Sequence, residues 1–583
     1  MDKFTNKEVA DILHELADLM EIKGENKFKI RAYQNAARKL TAISEDIKKL
    51  VEEDKLQKLD GIGSGIASTI KEIFENGCSS TLEELRNELP AGVQEMTDIS
   101  GLGPKSAHRL FYELGIQDIN DLREALMKNE VQKLKGFGAK SEKRLLKSLE
   151  KYQHYSDFIR LNEAKELAGE FSQHLYELVE RNDTDIISDF KFAGELRRKK
   201  ELIKNFVLIL VSSNFFKSIK ILKNISTVNS LEKEDESQGI ISTNKGFNIK
   251  YRFVKPGNYP AALLYYTGSR THREKLKKRA RKMNMNLKAK GVFNKDGVKI
   301  HEIKSESDIY KNLGLQYIPP ELREDRGEVE AAEKNKLPEL IDLDDIKGDM
   351  HLHSNFSDGA YSIEDMARAA RRKGYQYIAI TDHSQSLRVA HGMSVEKVIR
   401  QRKKIEELNN KLEDIYIFNG IEVDILQDGS LDYSNEILES FELVIASVHS
   451  GFQQDKDQMT TRIIKAMECP YVDIIGHPQG RLLGKRTSYK ADMNRVIKMA
   501  GLTNTCLEIN ASPSRLDLDD KLSYLAKKEG VKLVINTDAH HIKQLEHMEL
   551  GVSVARRGWM EAVDVLNTKT LTEIKDYLKI DKR

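Results

Sequence analysis

The residues best suited to chemistry lie in the C-terminal third of the chain. Gly348-Asp349-Met350-His351-Leu352-His353-Ser354 puts two imidazoles at i and i+2, which on a β-strand project from one face and can share a cation. Asp358 follows on the next loop. Ile378-Ala379-Ile380-Thr381-Asp382-His383 ends a second apolar run in His383, and Phe418-Asn419-Gly420-Ile421-Glu422 supplies Glu422 from a third. Two more runs end in His449 and His477, and Leu533-Val534-Ile535-Asn536-Thr537-Asp538-Ala539-His540 repeats the i, i+2 device with Asp538 and His540. A lone histidine at a strand end is usually a hydrogen-bonded structural group. Six of fifteen histidines at successive strand ends go beyond that explanation. Imidazoles and carboxylates without thiolate suit manganese or zinc, and iron also fits.

These residues need strands to aim them. From residue 347 to 583 apolar runs alternate with helical stretches, the pattern of a parallel α/β barrel. The candidate ligands fall where the runs end, and in such barrels the C-terminal ends of the strands face the active site. Arg388, His391, Arg481 and Arg486 sit in loops after strands and are candidates to hold a substrate phosphate.

The rest of the chain has a different texture. Residues 1–155 read as short amphipathic helices. They contain Leu59-Asp60-Gly61-Ile62-Gly63, Ile99-Ser100-Gly101-Leu102-Gly103 and Leu134-Lys135-Gly136-Phe137-Gly138, each followed by a helical run. Two glycines permit a tight turn, and the helix N-terminus behind it can receive a phosphate without base contacts. Three copies of one unit imply a sequence-independent DNA grip through Gly61, Gly63, Gly101, Gly103, Gly136 and Gly138. Residues 270–290 hold ten Lys or Arg, Arg270 and Arg273 among them, against the single acid Glu274, a basic helix expected to follow a phosphate backbone.

Composition sets the outer limits. With 583 residues, 39% of them hydrophobic, the chain can bury several cores, and three or four domains are expected. A formal net charge of +2 excludes a uniformly basic nucleic-acid coat. A mean hydropathy of −0.53 and the absence of an apolar run near the roughly 20 residues of a bilayer span argue against a membrane segment, so a cytoplasmic protein is expected. Cys78, Cys469 and Cys506 lie far apart and form no CxxC pair, consistent with a reducing compartment.

The glycine repeats resemble helix-hairpin-helix motifs, and Asn26-Lys27-Phe28-Lys29-Ile30-Arg31-Ala32-Tyr33 resembles the start of the small DNA-binding domain of family X DNA polymerases. A palm and thumb follow in that family's order, with Gly194-Glu195-Leu196-Arg197-Arg198, Tyr265-Tyr266-Thr267-Gly268-Ser269 and Tyr317-Ile318-Pro319-Pro320-Glu321-Leu322-Arg323. The resemblance implies domains over 1–90, 91–155 and 156–323, a charged linker over 324–346, and a final domain over 347–583. It also implies that Lys29 binds phosphate, while the Schiff-base lysine position falls on Thr69.

Nucleotidyl transfer needs two magnesium ions bound by oxygen, and the resemblance implies that three aspartates hold them. Counted from the Gly194 motif, these positions fall on Asn205, Val207 and Lys250, and Glu195 stands where the family has a serine near the triphosphate. Asp183, Asp185 and Asp189 all precede the motif, so magnesium is expected to be absent from the palm.

The C-terminal third resembles the PHP domain, named for polymerases and histidinol phosphatases, with all nine metal-ligand positions filled. By that resemblance His351, His353, Glu422 and Asp538, also the expected catalytic core, hold one ion. Glu422, His449 and His477 hold a second, and Asp358, His383 and His540 a third. About three divalent cations imply phosphate-ester hydrolysis. The expected function is a monomeric, metal-dependent 3′-to-5′ DNA exonuclease of base excision repair, acting on gapped, nicked or 3′-end DNA, with synthesis lost. The competing expectation is a working gap-filling polymerase with an accessory exonuclease.

Overall fold

The computed structural model describes residues 4, 6–43, 45, 47–59, 61–99, 101–156, 158–181, 186–300 and 303–580. Asp60, Ser100, Asp183 and Asp185 lie outside the described residues. Among the described residues no helix is long and apolar enough to cross a membrane.

The N-terminal region is all helical, from Asn6–Lys23 to Ala139–Ser156. Its two halves, expected to meet at residue 90, share one apolar core running from Val9 and Leu13 through Leu110 to Leu149. His108 from the second half also lies 2.6 Å from the Ile22 carbonyl of the first.

The palm is a five-stranded sheet in the order Ile187–Ala193, Phe206–Ser212, Asn248–Val254, Gln238–Thr243, Val228–Lys233. Phe206–Ser212 is flanked on both edges, which explains its unbroken apolar sequence. The thumb follows, with helices Tyr259–Thr267, Arg270–Lys282 and Glu306–Asn312.

The stretch expected to be a linker is folded. Glu328–Glu333 is a helix, and Val329, Ala332 and Leu340 join the thumb core. Its acids also pair with part of the basic helix. Lys275 pairs with Asp325 and Glu330, Arg279 with Glu333, and buried His272 with buried Glu328 at 2.5 Å.

Glu306 ties the palm motif to the thumb, receiving Arg197 at 2.5 Å and Arg323 at 2.6 Å. Burial would raise its carboxyl, but the Arg323 and Arg197 charges pull it down to about 2. That stabilisation is complete above the ordinary glutamate pKa and is lost as pH falls toward about 2. Glu306→Gln leaves two buried guanidinium groups short of a counter-charge and is expected to destabilise the protein by about 3 kcal/mol. Urea unfolding of the two proteins at pH 7 measures this, and coincident curves would contradict it.

The C-terminal domain is a barrel of seven parallel strands in chain order: Gly348–Leu352, Tyr377–Ile380, Tyr416–Asp424, Leu443–Ser447, Ile474–Ile475, Cys506–Asn510 and Leu533–Asn536. A bridge between Leu352 and Ala539 joins the last strand to the first and brings the sheet close to closure. Helices begin where the sequence supplies caps: Ser362 and Ser394 each accept a backbone N–H three residues on, and Asp455 forms a reciprocal box with Gln458.

Candidate metal centre and nucleic-acid interface

All nine candidate ligands meet at the C-terminal mouth of the barrel. His353, Asp358, His383 and His540 offer ligand atoms within 4.8 Å of one another, as do His351, His353 and Asp538, and His383, Glu422 and His449. This grouping differs from the expected partition in sharing His353 and His383 between clusters. Glu422 is the hub. Its Oε2 lies 2.8 Å from His383 Nδ1 and 3.5 Å from His351 Nε2, while Oε1 lies 3.2 Å from both His449 Nε2 and His477 Nε2. Asp538 faces His353 at 3.1 Å, and Asp358 faces His540 at 3.3 Å.

These residues fit a set of cations. His351 Nε2, both ring nitrogens of His353, His383 Nδ1 and Glu422 Oε2 are buried and, close as they lie to one another and to Asp538, make no aligned hydrogen bond. Buried polar atoms left without partners are costly unless something else binds them. His477 and Asp538 also hold left-handed backbone, with φ of 28° and 54°, which costs a non-glycine residue on the order of 1–3 kcal/mol and gathers at functional sites. Electrostatics divides the imidazoles. Burial and the neighbouring His540 and His383 push His353 down to about 3, and burial with Arg515 pushes His477 down to about 4. Against the effect of burial, Glu422 and Asp424 lift His449 to about 10, and Asp358 and Asp538 lift His540 to about 9.

Three functional residues escaped the reading from sequence. Glu508 receives His351 Nδ1 at 2.7 Å and the backbone N–H of His477 at 2.7 Å, orienting two ligands at once. Asp424 receives His449 Nδ1 at 2.8 Å. Such outer carboxylates fix the tautomer and raise the basicity of a ligating imidazole. Glu508→Gln is expected to weaken manganese or zinc binding by about 10- to 100-fold, measured by competitive titration with a chelator; unchanged affinity would remove Glu508 from that role. The third residue, Arg515, sits 3.6 Å from Asp538, and its Nη1 is buried without a partner. It had the signal used for Arg481 and Arg486, an arginine in a loop after a strand, but the strand Cys506–Asn510 before it had gone unread.

The four expected phosphate contacts separate. Arg388 and His391 are exposed on the loop that follows His383. Arg486 donates to the Gly480 carbonyl at 3.0 Å and stacks 4.1 Å over Phe452. It lines a cavity of about 690 Å³ shared with Arg144 and Tyr152 of the N-terminal helices. Arg481 does not hold a free guanidinium: Glu201 of the palm takes both terminal nitrogens, at 2.7 and 3.1 Å.

In the palm, Val207 and Lys250 are strand partners, and Lys250 Nζ donates to Asn205 Oδ1 at 2.8 Å. Glu195 Oε2 accepts the backbone N–H groups of Lys204 and Asn205 at 2.8 and 3.1 Å. Thr69 is buried against Tyr33 at 3.0 Å and offers no amine.

The three glycine turns share one backbone geometry. Gly61, Gly101 and Gly136 have φ of 88°, 91° and 94°, so each turn requires glycine. Gly63 and Gly103 then cap the helices Ser64–Asn76 and Pro104–Leu114, and a Cβ added at either would meet nothing within 4 Å. Gly138 directly precedes Ala139–Ser156. Lys29 is exposed beside Phe28, itself 80% exposed. Arg270 is exposed, whereas Arg273 packs on the Tyr265 ring and donates to the Tyr265 carbonyl at 3.1 Å.

Family models agree with this layout. A helix-hairpin-helix domain matches residues 4–79, a helix-hairpin-helix tandem 93–151, the DNA polymerase beta thumb 262–324 and the PHP domain 349–512. The chain is 40% identical to the DNA polymerase/3'-5' exonuclease PolX of Bacillus subtilis (strain 168), over 98% of this chain and 99% of that protein. It is 34% identical to a probable phosphatase of Thermoanaerobacter sp. (strain X514), over 40% of this chain and 95% of that one. A probable phosphatase of Caldanaerobacter subterraneus is 31% identical over 40% of this chain and 90% of its own length.

Proposed function

This chain belongs to the family X DNA polymerases that carry a C-terminal PHP domain, and on that premise we propose that it works mainly as a metal-dependent 3′-to-5′ DNA exonuclease whose palm no longer adds nucleotides. The observation that carries the reading is a contrast between two sites. The barrel mouth gathers six imidazoles around Glu422, Asp538 and Asp358 with ring nitrogens left unpartnered. The palm instead presents an ammonium bonded to an amide at the expected magnesium positions.

His351, His353, Glu422 and Asp538, then Glu422 again with His449 and His477, then Asp358, His383 and His540 would hold the cations, manganese or zinc suiting these donors. Divalent ions bound there supply Lewis acidity and a nucleophile active near neutral pH. Around them Glu508 and Asp424 fix the orientation of His351 and His449. Arg515 offers an unspent N–H to a phosphate oxygen. The hairpins and Lys29 hold the DNA by its backbone while its 3′ end enters the barrel. Removal of abasic sites and 3′-blocking groups uses the same chemistry and belongs to the same proposal, as do base excision repair and a cytoplasmic place of action.

The second reading, a working gap-filling polymerase, is favoured by the name of the Bacillus subtilis relative. One assay separates them. The purified protein is stripped with chelator, reloaded with manganese or zinc, and given labelled single-stranded, gapped and abasic DNA with and without nucleotides. The expected result is cation-dependent shortening from the 3′ end and no extension. Cleavage that persists after chelation, or template-directed extension, would overturn the proposal.

A further inference from the structure

The palm reaches into the barrel through one side chain. Glu201 stands four residues past the Gly194–Arg197 turn and takes both terminal nitrogens of Arg481 at 2.7 and 3.1 Å. Neither partner is free: Arg481 is 11% and Glu201 18% exposed. A two-pronged guanidinium–carboxylate pair fixes direction as well as distance.

Arg481 is placed to transmit that fix. It stands four residues beyond His477, and its side chain also donates to the carbonyl of Leu516. Leu516 adjoins Arg515, which reaches Asp538 at 3.6 Å. The backbone N–H of Gln479, two residues past His477, is held by Asp517 at 2.9 Å. The loops that carry His477 and Arg515 are thus stapled to each other at Arg481, and the staple is anchored on the palm.

We propose that Glu201 is a positioning residue of the nuclease: the palm braces the barrel mouth through Arg481, so that His477 and Arg515 stand in register for hydrolysis. This rests on the exonuclease reading above and goes beyond it, giving the palm a task in the reaction that needs no nucleotide. The alternative is that Arg481 serves DNA directly and Glu201 merely parks it.

Substrate size separates the two. Bis(p-nitrophenyl) phosphate is a phosphodiester too small to touch a DNA-binding surface. Glu201→Gln keeps the shape and removes the charge. The variant, Arg481→Gln and the double variant are assayed with manganese on this diester and on a single-stranded oligonucleotide. Misplacement of reacting groups by about 1 Å costs on the order of 10²-fold, so Glu201→Gln is expected to lower kcat on both substrates by about 10- to 100-fold, with KM for DNA within about twofold. The double variant is expected to be no worse than the poorer single one, because both act through one contact. Lys165→Ala, which removes a different palm–barrel ion pair at 2.5 Å to Glu549, is expected to retain full activity, and the melting temperature of each variant reports any general unfolding.

Loss confined to DNA, additive losses in the double variant, or an equal loss in Lys165→Ala overturns the brace. A parent protein active on the diester with Glu201→Gln equal to it sinks the brace alone. A parent inert on both substrates sinks the exonuclease reading and the brace together.

Discussion

Replacing Glu422 with alanine abolishes hydrolysis of DNA 3′ ends while leaving DNA affinity within about twofold of the parent. The carboxylate is 1% exposed and faces four imidazoles, two through each oxygen, at 2.8 to 3.5 Å. Burial works against its charge, but His449, His351 and His383 hold its carboxyl well below the usual range, so it is an anion at any working pH. Without it His383, His449 and His477 lose the carboxylate they face, and the two ligand sets that share Glu422 lose their bridge. Cation-assisted charge stabilisation is worth several kcal/mol, and each 1.4 kcal/mol is tenfold in rate, so kcat is expected to fall by about three to four orders of magnitude. Affinity is spared because the hairpins, Lys29 and Arg270 lie on other domains and contribute through counterion release. Gel shifts at two salt concentrations and exonuclease rates on the same oligonucleotide check both halves. A Glu422→Ala protein that digests DNA at the parental rate would dismantle the site.

The candidate ligands were legible because strand-end histidines and acids combine a period of two with apolar runs, and both signals are local. Asp424 and Glu508 were harder. Asp424 lies two residues past Glu422 on the same strand and was visible, but a carboxylate that serves a histidine carries no mark distinguishing it from one that serves a cation. Glu508 was lost with its strand. Cys506-Leu507-Glu508-Ile509-Asn510 is wholly buried yet nearly half polar, because Glu508 and Asn510 are spent inside the barrel on His351, His477 and Asp538. An apolar-run criterion cannot see a strand whose interior is polar for functional reasons. The supposed linker failed for the converse reason: Arg326, Glu328 and Glu330 read as solvent-exposed charge, whereas Glu328 is buried against His272 and receives the N–H groups of Asp325 and Arg326. Arg481 fell to the same blindness, since its partner Glu201 lies 280 residues away.

Template-directed synthesis is expected to be undetectable in the parent and to stay so when three carboxylates are restored by Asn205→Asp, Val207→Asp and Lys250→Asp. The parent is expected to fail on charge. At about 4 Å and an effective dielectric near 20, the Lys250 ammonium repels a divalent ion by roughly 8 kcal/mol, where an aspartate would attract it by as much. The triple variant cures that and leaves one defect. Glu195 Oε2 is fastened by the N–H groups of Lys204 and Asn205, so a fixed negative charge remains at the turn that receives a triphosphate. Adding Glu195→Ser removes the fixed anion, so the quadruple variant is expected to be the first to extend a primer across a one-nucleotide gap with magnesium. The readout is extension with the barrel silenced by His351→Ala, so that digestion cannot mask synthesis. Extension by the parent would restore the palm as a polymerase, and extension by the triple variant alone would show that Glu195 does not obstruct the triphosphate.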